Sequence, residues 1–228
     1  MTQKWIGMTQ KWIGWHFLSA DRMTQFEPRV KVRKGSLLHE TRRLVMCNVG
    51  LHASLRAIDA LKYAPGPIVC RVELRGERID DEEKSCASER KVIAIADATM
   101  TLHEFACWCA ETALRRERKA GREPDKRSWN AVRVKRRWLR GDVTDDELAS
   151  ARASARASAR ASAMAAAGEA AETAAGEAAG AAAWEVWETT LAAAWGTTLA
   201  TAVEAWEAAR TAQNRKLESM LRNLLGCK

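Results

Sequence analysis

The spacing of hydrophobic and polar residues divides the chain into a first part with short apolar runs and a second part with long helical periods. In the first part the runs are separated by Gly, Pro and charged residues, a pattern typical of β-strands. Val30 and Val32 alternate with Arg and Lys, and Cys70, Val72 and Leu74 share one face of their run. We predict strands at residues 15–18, 29–33, 44–47, 68–74 and 92–96, with a charged loop at 80–90.

Helical patterns interrupt and follow these strands. Ser54 is expected to cap a short amphipathic helix. A longer helix is predicted from about Ala98 to Lys119, stopping near Gly121. Another is expected to begin at Pro124 and to end before Gly141, which stands where a C′ glycine is common.

The alanine-rich run from Thr144 to about residue 225 is the strongest helical signal in the chain. It opens with a capping box, in which Thr144 and Glu147 satisfy each other's backbone amides. Alanine then dominates for about seventy residues without a proline, as in a stable helix. Gly168, Gly176 and Gly180 are the weak points, where we expect a kink or a reversal that makes a helical hairpin. An unbroken projecting rod is the alternative.

Large apolar residues recur every eleven positions in the second half of this run, at Trp184, Trp195, Trp206 and Leu217. Eleven residues make three helical turns, so the four side chains fall on one stripe. Each indole can bury about 150–250 Å², which favours packing in a core or in a homo-oligomer. A groove that stacks a ligand is the alternative.

These patterns together predict an α+β fold, with a small mixed-sheet head domain followed by long alanine-rich helices. Residues 1–7 and 8–14 are the same heptapeptide, so we interpret 1–14 as a duplicated start and expect it to be disordered. The head domain is expected at 15–121, a basic connecting helix at 122–141 and the helical tail at 142–228.

Positive charge is concentrated in one stretch. The formal net charge is +8, yet Arg115 to Arg140 alone holds twelve Lys and Arg against three acidic residues. Such a stretch can follow a phosphate backbone or dock on acidic side chains of the tail or of a partner. The residues we expect to contact nucleic acid or an acidic partner are Arg127, Arg133, Arg136, Arg137 and Arg140.

Several classes of protein find no support in the sequence. The six cysteines show no regular framework and are expected to be reduced thiols. No apolar run approaches the roughly 18–20 residues of a membrane span. Histidine and cysteine spacings predict no metal site, and there is no Walker loop. We therefore expect a cytoplasmic protein of a host cell, without a cofactor and without membrane contact.

One group of residues in the head domain has the composition of a binding site. Gly50, His52 and Ser54 lie at a turn between an apolar run and a helix, where side chains and free amides can face a phosphate. Tyr63 follows at the end of that helix, and Glu73 lies in the next strand. We therefore predict ligand binding by Gly50, His52, Ser54 and Tyr63. His52, Tyr63 and Glu73 are the weak candidates for catalysis, and the alternative for His52 is a hydrogen-bonded turn histidine.

The same residues resemble a family of uncharacterised small α/β domains carried mainly by bacteriophages. The shared features are a G-[FL]-H-[AT]-S turn, here Gly50 to Ser54, then Tyr63, then a V-x-V-E strand that is matched here by Val72-Glu73, and later Lys84 with Glu89. The resemblance covers roughly residues 15 to 112 and implies no biochemical activity. The alanine-rich tail is similar to helical tails in immunity proteins of bacteria and phages.

The turn and the strand are also loosely similar to ADP-ribosyltransferase and RNA 2′-phosphotransferase folds. That resemblance implies an NAD site in which His52 anchors the nicotinamide ribose and Tyr63 stacks on the ligand. Glu73 or Glu89 would then supply the acid.

Three functional hypotheses follow. The first is a non-enzymatic, phage-type accessory protein that binds or sequesters a host protein or a small phosphorylated ligand in counter-defence. The second is an ADP-ribosyltransferase-like enzyme that uses NAD. The third is a basic nucleic-acid-binding protein.

Overall fold

The computed structural model describes residues 11–25, 29–166 and 199–227. Five strands and five helices lie in these ranges. The strands are β1 (Trp12–Leu18), β2 (Leu37–His39), β3 (Leu51–Ala53), β4 (Ile68–Asp80) and β5 (Ser85–Asp97). The helices are α1 (Ala57–Lys62), α2 (Thr99–Lys119), α3 (Lys126–Leu139), α4 (Asp145–Ala166) and α5 (Leu199–Leu225).

The strands form one sheet in the order β1-β4-β5-β2, with β3 also pairing with β5. Every pairing between these described strands is antiparallel. Trp15 and Ser54 exchange two backbone hydrogen bonds of 2.7 and 2.9 Å. These bonds link β1 to the residue after β3, so that backbone hydrogen bonds run in a closed circuit through β1, β4, β5 and β3. The predicted α+β class is confirmed, and the sheet is antiparallel where a mixed one was expected.

The long hairpin of β4 and β5 supplies most of the sheet's core. Cys70, Val72 and Leu74 are all buried in one hydrophobic cluster, so the shared face expected for them is confirmed. The expected charged loop at 80–90 is wrong, because β5 already begins at Ser85 and pairs with Asp80. Ser85, Cys86 and Ala87 are buried. Their small side chains allow β5 to run through part of the 80–90 segment, whose charged residues had suggested a loop.

Two of the predicted strands, residues 29–33 and 44–47, do not form strands in the structure. Residues 29–33 make a single bridge between Met23 and Lys31, with Val32 buried and Val30 exposed. Residues 44–47 bury Leu44 but turn back at Cys47, whose φ is +68°. Local alternation of apolar residues predicts a strand only where a neighbouring strand offers hydrogen bonds.

The short helix α1 is capped from outside its own segment. Its N-cap residue is Arg56, which makes no side-chain cap, and the expected cap by Ser54 is wrong because Ser54 pairs with β1. Asn214 instead accepts a hydrogen bond from the Ile58 amide at 3.1 Å, and Glu218 accepts one from the Ala57 amide at 3.3 Å. Both acceptors lie on α5.

The described residues form two compact units. One contains residues up to Thr101 together with those from Arg210 onward, and the other contains Leu102 to Ala209. The sheet unit therefore includes the last part of α5, whose Leu217 and Leu221 are completely buried. These boundaries differ from the predicted division into 15–121, 122–141 and 142–228, because the end of the tail belongs to the sheet.

The helical unit confirms the local signals for helix ends. Gly121 and Gly141 have φ values of +80° and +78°, the left-handed conformation that glycine adopts at little cost. Thr144 donates its amide to Glu147 at 2.7 Å, and the Glu147 amide donates to the Thr144 hydroxyl at 3.2 Å. The predicted capping box thus begins α4.

Part of the alanine-rich run lies outside the described residues. The expected break at Gly168, Gly176 and Gly180 lies there, as do Trp184 and Trp195. Of the predicted stripe, Trp206 is partly buried and Leu217 is fully buried within this chain. None of the described helices has both the length and the apolar character needed to cross a membrane.

Candidate functional site

The predicted binding turn lies at the beginning of β3. Gly50 has a φ of +132°, and a Cβ atom added there would lie 3.2 Å from Cβ of Cys86. Glycine at this position therefore satisfies both the backbone conformation and the close approach of β5. The turn presents His52, which lies directly opposite Cys86 in the register of β3 and β5.

The His52 side chain is used inside the turn. Its Nε2 atom accepts a hydrogen bond of 3.2 Å from the Cys47 amide. The His52 carbonyl accepts a second one, of 2.7 Å, from Nη1 of Arg90. Burial lowers the pKa of His52, and the nearby Lys84 and Arg90 cations lower it further. His52 is therefore neutral at pH 7, and its ring holds the 47–52 turn together.

Tyr63 stands on the other side of Lys84. Its hydroxyl donates to Glu83 at 3.0 Å, and Nζ of Lys84 lies 4.2 Å from its ring centroid. The pKa of Tyr63 is raised, first by burial and then by the hydrogen bond to Glu83. Lys84 therefore lies against the Tyr63 ring and near enough to His52 to lower its pKa.

Ser54 and Glu73 interact with residues other than His52, Tyr63 and Lys84. Ser54 is buried and pairs with Trp15. Glu73 bonds Arg75 at 2.7 Å and lies opposite Lys91 of β5. Lys91 is five residues along β5 from Cys86, the residue opposite His52. At 3.3 Å per residue, five residues span about 16 Å.

The second candidate for the acid, Glu89, is also separated from the turn. Its carboxylate lies 3.6 Å from Nδ1 of His39. Glu73 and Glu89, the two acids that the transferase resemblance names, are thus paired elsewhere, and the carboxylate beside Tyr63 is that of Glu83.

A buried ion cluster in the sheet unit has no signal in the sequence. Nη2 of Arg210 lies 2.5 Å from Asp59 and 3.0 Å from Glu83. Arg56 also pairs with Asp59, whose side chain is only 2% exposed. Residues 59 and 210 are 151 positions apart, so local spacing carries no information about this contact.

In the helical unit, the basic residues of α3 divide into inner and outer sets. Lys135 is buried with its Nζ 3.7 Å from the Trp138 ring centroid. Arg136 is paired at 2.8 Å with Glu111 of α2. Lys126, Arg133 and Arg137 are all exposed, and none of them forms an ion pair with a carboxylate within the described part of the chain. Arg137 donates a hydrogen bond of 3.4 Å to the Asp142 carbonyl and lies near enough to Glu147 to lower its pKa.

The other predicted contact residues are exposed but already paired. Arg127 lies 2.8 Å from Asp125, the N-cap of α3, and Arg140 lies 3.0 Å from Asp142. Asp125 accepts hydrogen bonds from the side chain and the amide of Arg127, which hold its pKa well below the usual range. Such pairs reduce, without cancelling, the attraction that an arginine exerts on a phosphate.

A surface groove of about 530 Å³ lies between α3 and α4. Its walls include Asn130 and Val134 from α3, with Asp146 and Glu147 from the first turn of α4. The two carboxylates make this groove unsuitable for an anion.

The described residues contain no group of His, Cys, Asp and Glu side chains arranged to hold a metal ion. No protein-family model matches the chain, and comparisons with curated proteins and with solved structures gave no match either. The likeness to phage domains and to immunity-protein tails therefore stays a hypothesis.

Proposed function

We propose that this chain is a non-enzymatic binding protein that contacts the phosphate backbone of a nucleic acid through one face of α3. The observation that carries the proposal is the basic stripe, which we define as Lys126, Arg133 and Arg137. These residues follow one another at intervals of seven and four positions, close to two turns and one turn of a helix. All three are exposed, and none of them forms an ion pair with a carboxylate among the described residues, while Arg137 lies near enough to Glu147 to lower the pKa of that carboxyl group.

The length of the basic stripe favours an extended partner. Lys126 and Arg137 are eleven residues apart, which corresponds to about 16 Å along a helix. One strand of a duplex rises about 3.4 Å per phosphate, so several phosphates lie within that span. A small phosphorylated ligand is too short to reach both ends of the stripe.

The inner side of α3 explains how the stripe is held outward. Arg136 is fixed to α2 by Glu111, and Lys135 is packed against Trp138. Because both inner cations are held in place, the helix cannot rotate about its axis without breaking an ion pair and exposing an indole. Phosphate contacts of this kind fix position and carry no sequence information by themselves, so we propose binding with little sequence preference.

The geometry favours this hypothesis over the two alternatives. The transferase resemblance names Glu73 or Glu89 as the acid, and Glu73 lies about 16 Å along the sheet from His52, while Glu89 is paired with His39. A small phosphorylated ligand at the turn needs a donor set, but the Nε2 atom of His52 is already an acceptor for Cys47. A host protein with an acidic face is the competing partner for the same stripe.

Salt dependence of nucleic-acid binding tests the proposal. With three phosphate contacts, the slope of log affinity against log salt is about −2.7 for duplex DNA, so affinity falls about 40-fold between about 50 and 200 mM salt. Replacing both arginines (R133Q/R137Q) removes two contacts and is expected to make the slope about 1.8 less negative. Fluorescence anisotropy with a labelled 20-base-pair duplex and a labelled single strand measures both quantities.

The matched control carries the same change of charge in the sheet unit, at Lys34 and Arg43 (K34Q/R43Q). Both residues are exposed, and the variant is expected to keep the original slope. A slope that does not differ between R133Q/R137Q and the control contradicts the proposal. So does a free mononucleotide that binds as tightly as the 20-mer, since the stripe would then serve a small ligand.

A further inference from the structure

An aromatic residue lies within the basic stripe of α3. Trp129 follows Lys126 by three positions and precedes Arg133 by four, and residues at these spacings are neighbours on the surface of a helix. Trp129 is only partly buried, whereas both cations are exposed. The stripe therefore places an indole ring between two of its cations, on a surface that solvent can reach.

The other two tryptophans of α2 and α3 make contacts with residues of their own unit. The Trp138 indole donates a hydrogen bond of 2.6 Å to Asp145, and its ring meets His103 edge-on with 5.7 Å between the ring centroids. The Trp108 ring is stacked near Phe105, with 6.2 Å between the centroids. Both rings thus have structural partners inside the helical unit.

The neighbour of the Trp129 ring is a cation from the other helix. The guanidinium carbon of Arg118 on α2 lies 5.3 Å from the Trp129 ring centroid, within the distance at which a cation is attracted to a ring face. Arg118 is exposed. Arg115 and Arg122, on either side of it in the sequence, are paired with glutamates of α2. Arg118 therefore adds a planar cation beside the basic stripe.

The combination of a basic stripe with two planar side chains fits one kind of nucleic acid better than the other. Nucleic-acid bases stack on aromatic rings and on arginine guanidinium planes. In a duplex the bases are paired and stacked with one another, so a helix face that follows the backbone meets phosphates only. In a single strand the bases are free to turn toward the protein, and aromatic side chains beside cations are typical of proteins that bind such strands.

We propose that the basic stripe binds single-stranded nucleic acid, with one base stacked on the Trp129 indole beside the Arg118 guanidinium. This inference rests on the proposed function and adds a contact to a base. Lys126 and Arg133, which lie on either side of Trp129 along the helix, hold the phosphates next to the stacked base. Stacking on an aromatic ring tolerates every base, so the added contact distinguishes single strands from duplexes without reading sequence.

Three labelled probes of equal length separate the contribution of the bases from that of the phosphates. They are an oligothymidine single strand, an abasic strand with the same sugar-phosphate backbone, and a duplex. Fluorescence anisotropy with the full-length protein measures the affinity for each probe. One stacked base is worth about tenfold in affinity, so we expect oligothymidine to bind about tenfold more tightly than the abasic strand.

Variants at Trp129 and Arg118 test the two stacking groups. W129L is expected to weaken the binding of oligothymidine about tenfold and to change the affinity for the other two probes less than about twofold, whereas W129F keeps most of the affinity because it keeps a ring. R118K keeps the charge but loses the planar group, so oligothymidine is expected to bind about threefold more weakly. The matched control is R115K, since Arg115 bonds Glu111 at 2.7 Å, and its affinity is expected to stay unchanged.

The inference is overturned if the abasic strand binds as tightly as oligothymidine, or if W129L and W129F bind oligothymidine equally well. In either case a salt slope that is retained with all three probes leaves the proposed function standing. If none of the probes shows that slope, the proposed function and this inference both fail. Circular dichroism shows whether W129L keeps its fold. Should it unfold, the comparison of R118K with R115K decides, and equal affinities for oligothymidine contradict the stacking.

Discussion

At the scale of single residues, the sheet unit keeps several ionisable groups in places where their charge is costly. The pKa of His16 is lowered well below its usual value by burial, then by the nearby Arg90 and His52. Burial lowers the pKa of Arg90 to about 10, so Arg90 is still charged at pH 7. His16 is therefore kept neutral, since a second charge beside this buried arginine would be unfavourable.

Acidification is expected to destabilise the protein through His16. The unfolded chain binds a proton near pH 6.5 and the folded one only at lower pH, so the free energy of unfolding rises with pH in this window. When the pH falls from 7.5 to 5.5, one such histidine lowers the free energy of unfolding by up to about 1.4 kcal/mol. Urea titrations at both pH values measure it.

The variant H16Q is expected to lose less stability than the original protein over the same pH range. A loss of stability in H16Q equal to that of the original protein would show that His16 is not the group responsible.

At the scale of elements, the helices of the second unit begin and end where their own sequences specify. The capping box at Thr144 and Glu147 and the left-handed glycines at 121 and 141 need no contact from elsewhere. The strands behave differently. Residues 85–87 look like a charged loop, yet they form a strand because β4 and β3 supply hydrogen bonds on both sides.

Removing the cap of α4 is expected to loosen its first turn. Replacing Thr144 with alanine (T144A) removes the side-chain acceptor for the Glu147 amide and costs about 1 kcal/mol. Exchange of that amide with solvent deuterium is then expected to be about fivefold faster, as measured by NMR.

Thr112 is the control for this change, because its hydroxyl bonds the Trp108 carbonyl within α2 rather than capping a helix. T112A is expected to leave the amide of Glu147 unaffected. If T144A also leaves that amide unaffected, the cap seen at α4 contributes nothing to the stability of the helix.

At the scale of the whole molecule, the last part of α5 completes a sheet unit that begins near the other end of the chain. Leu217 and Leu221 are fully buried there, and Asn214 and Glu218 cap α1. Arg210 adds the contact to Asp59, which is 2% exposed. This last part of α5 therefore belongs to the sheet unit.

Loss of the Arg210 side chain is expected to destabilise the sheet unit substantially. Breaking a buried ion pair costs about 3–5 kcal/mol when it leaves a charge without a partner. Because Arg56 still pairs with Asp59, we expect a smaller cost for R210M, of about 2–3 kcal/mol. Denaturation in urea measures it, and a double-mutant cycle with D59N isolates the coupling.

The control for this prediction is R215M, which changes an exposed arginine on the same helix. Its effect is expected to stay within about 0.5 kcal/mol. If R210M is no more destabilised than R215M, then the contact between residues 59 and 210 does not hold α5 to the sheet unit.

The sequence alone determined the features whose causes are local. The α+β class, the buried face of β4, the helix ends at Gly121 and Gly141, and the capping box at Thr144 all follow from spacing over a few residues. The concentration of positive charge at 115–140 is likewise visible in the sequence. It does not show which cations are exposed, because Arg136 finds its partner on another helix.

Only the tertiary structure decided the features that depend on distant partners. It extended β5 into a charged segment, made a turn of residues 44–47, and placed Glu73 away from His52. It also brought Arg210 to Asp59. Backbone hydrogen bonds in a sheet and ion pairs between remote residues form only once the chain is folded, whereas a helix cap needs only its own four residues.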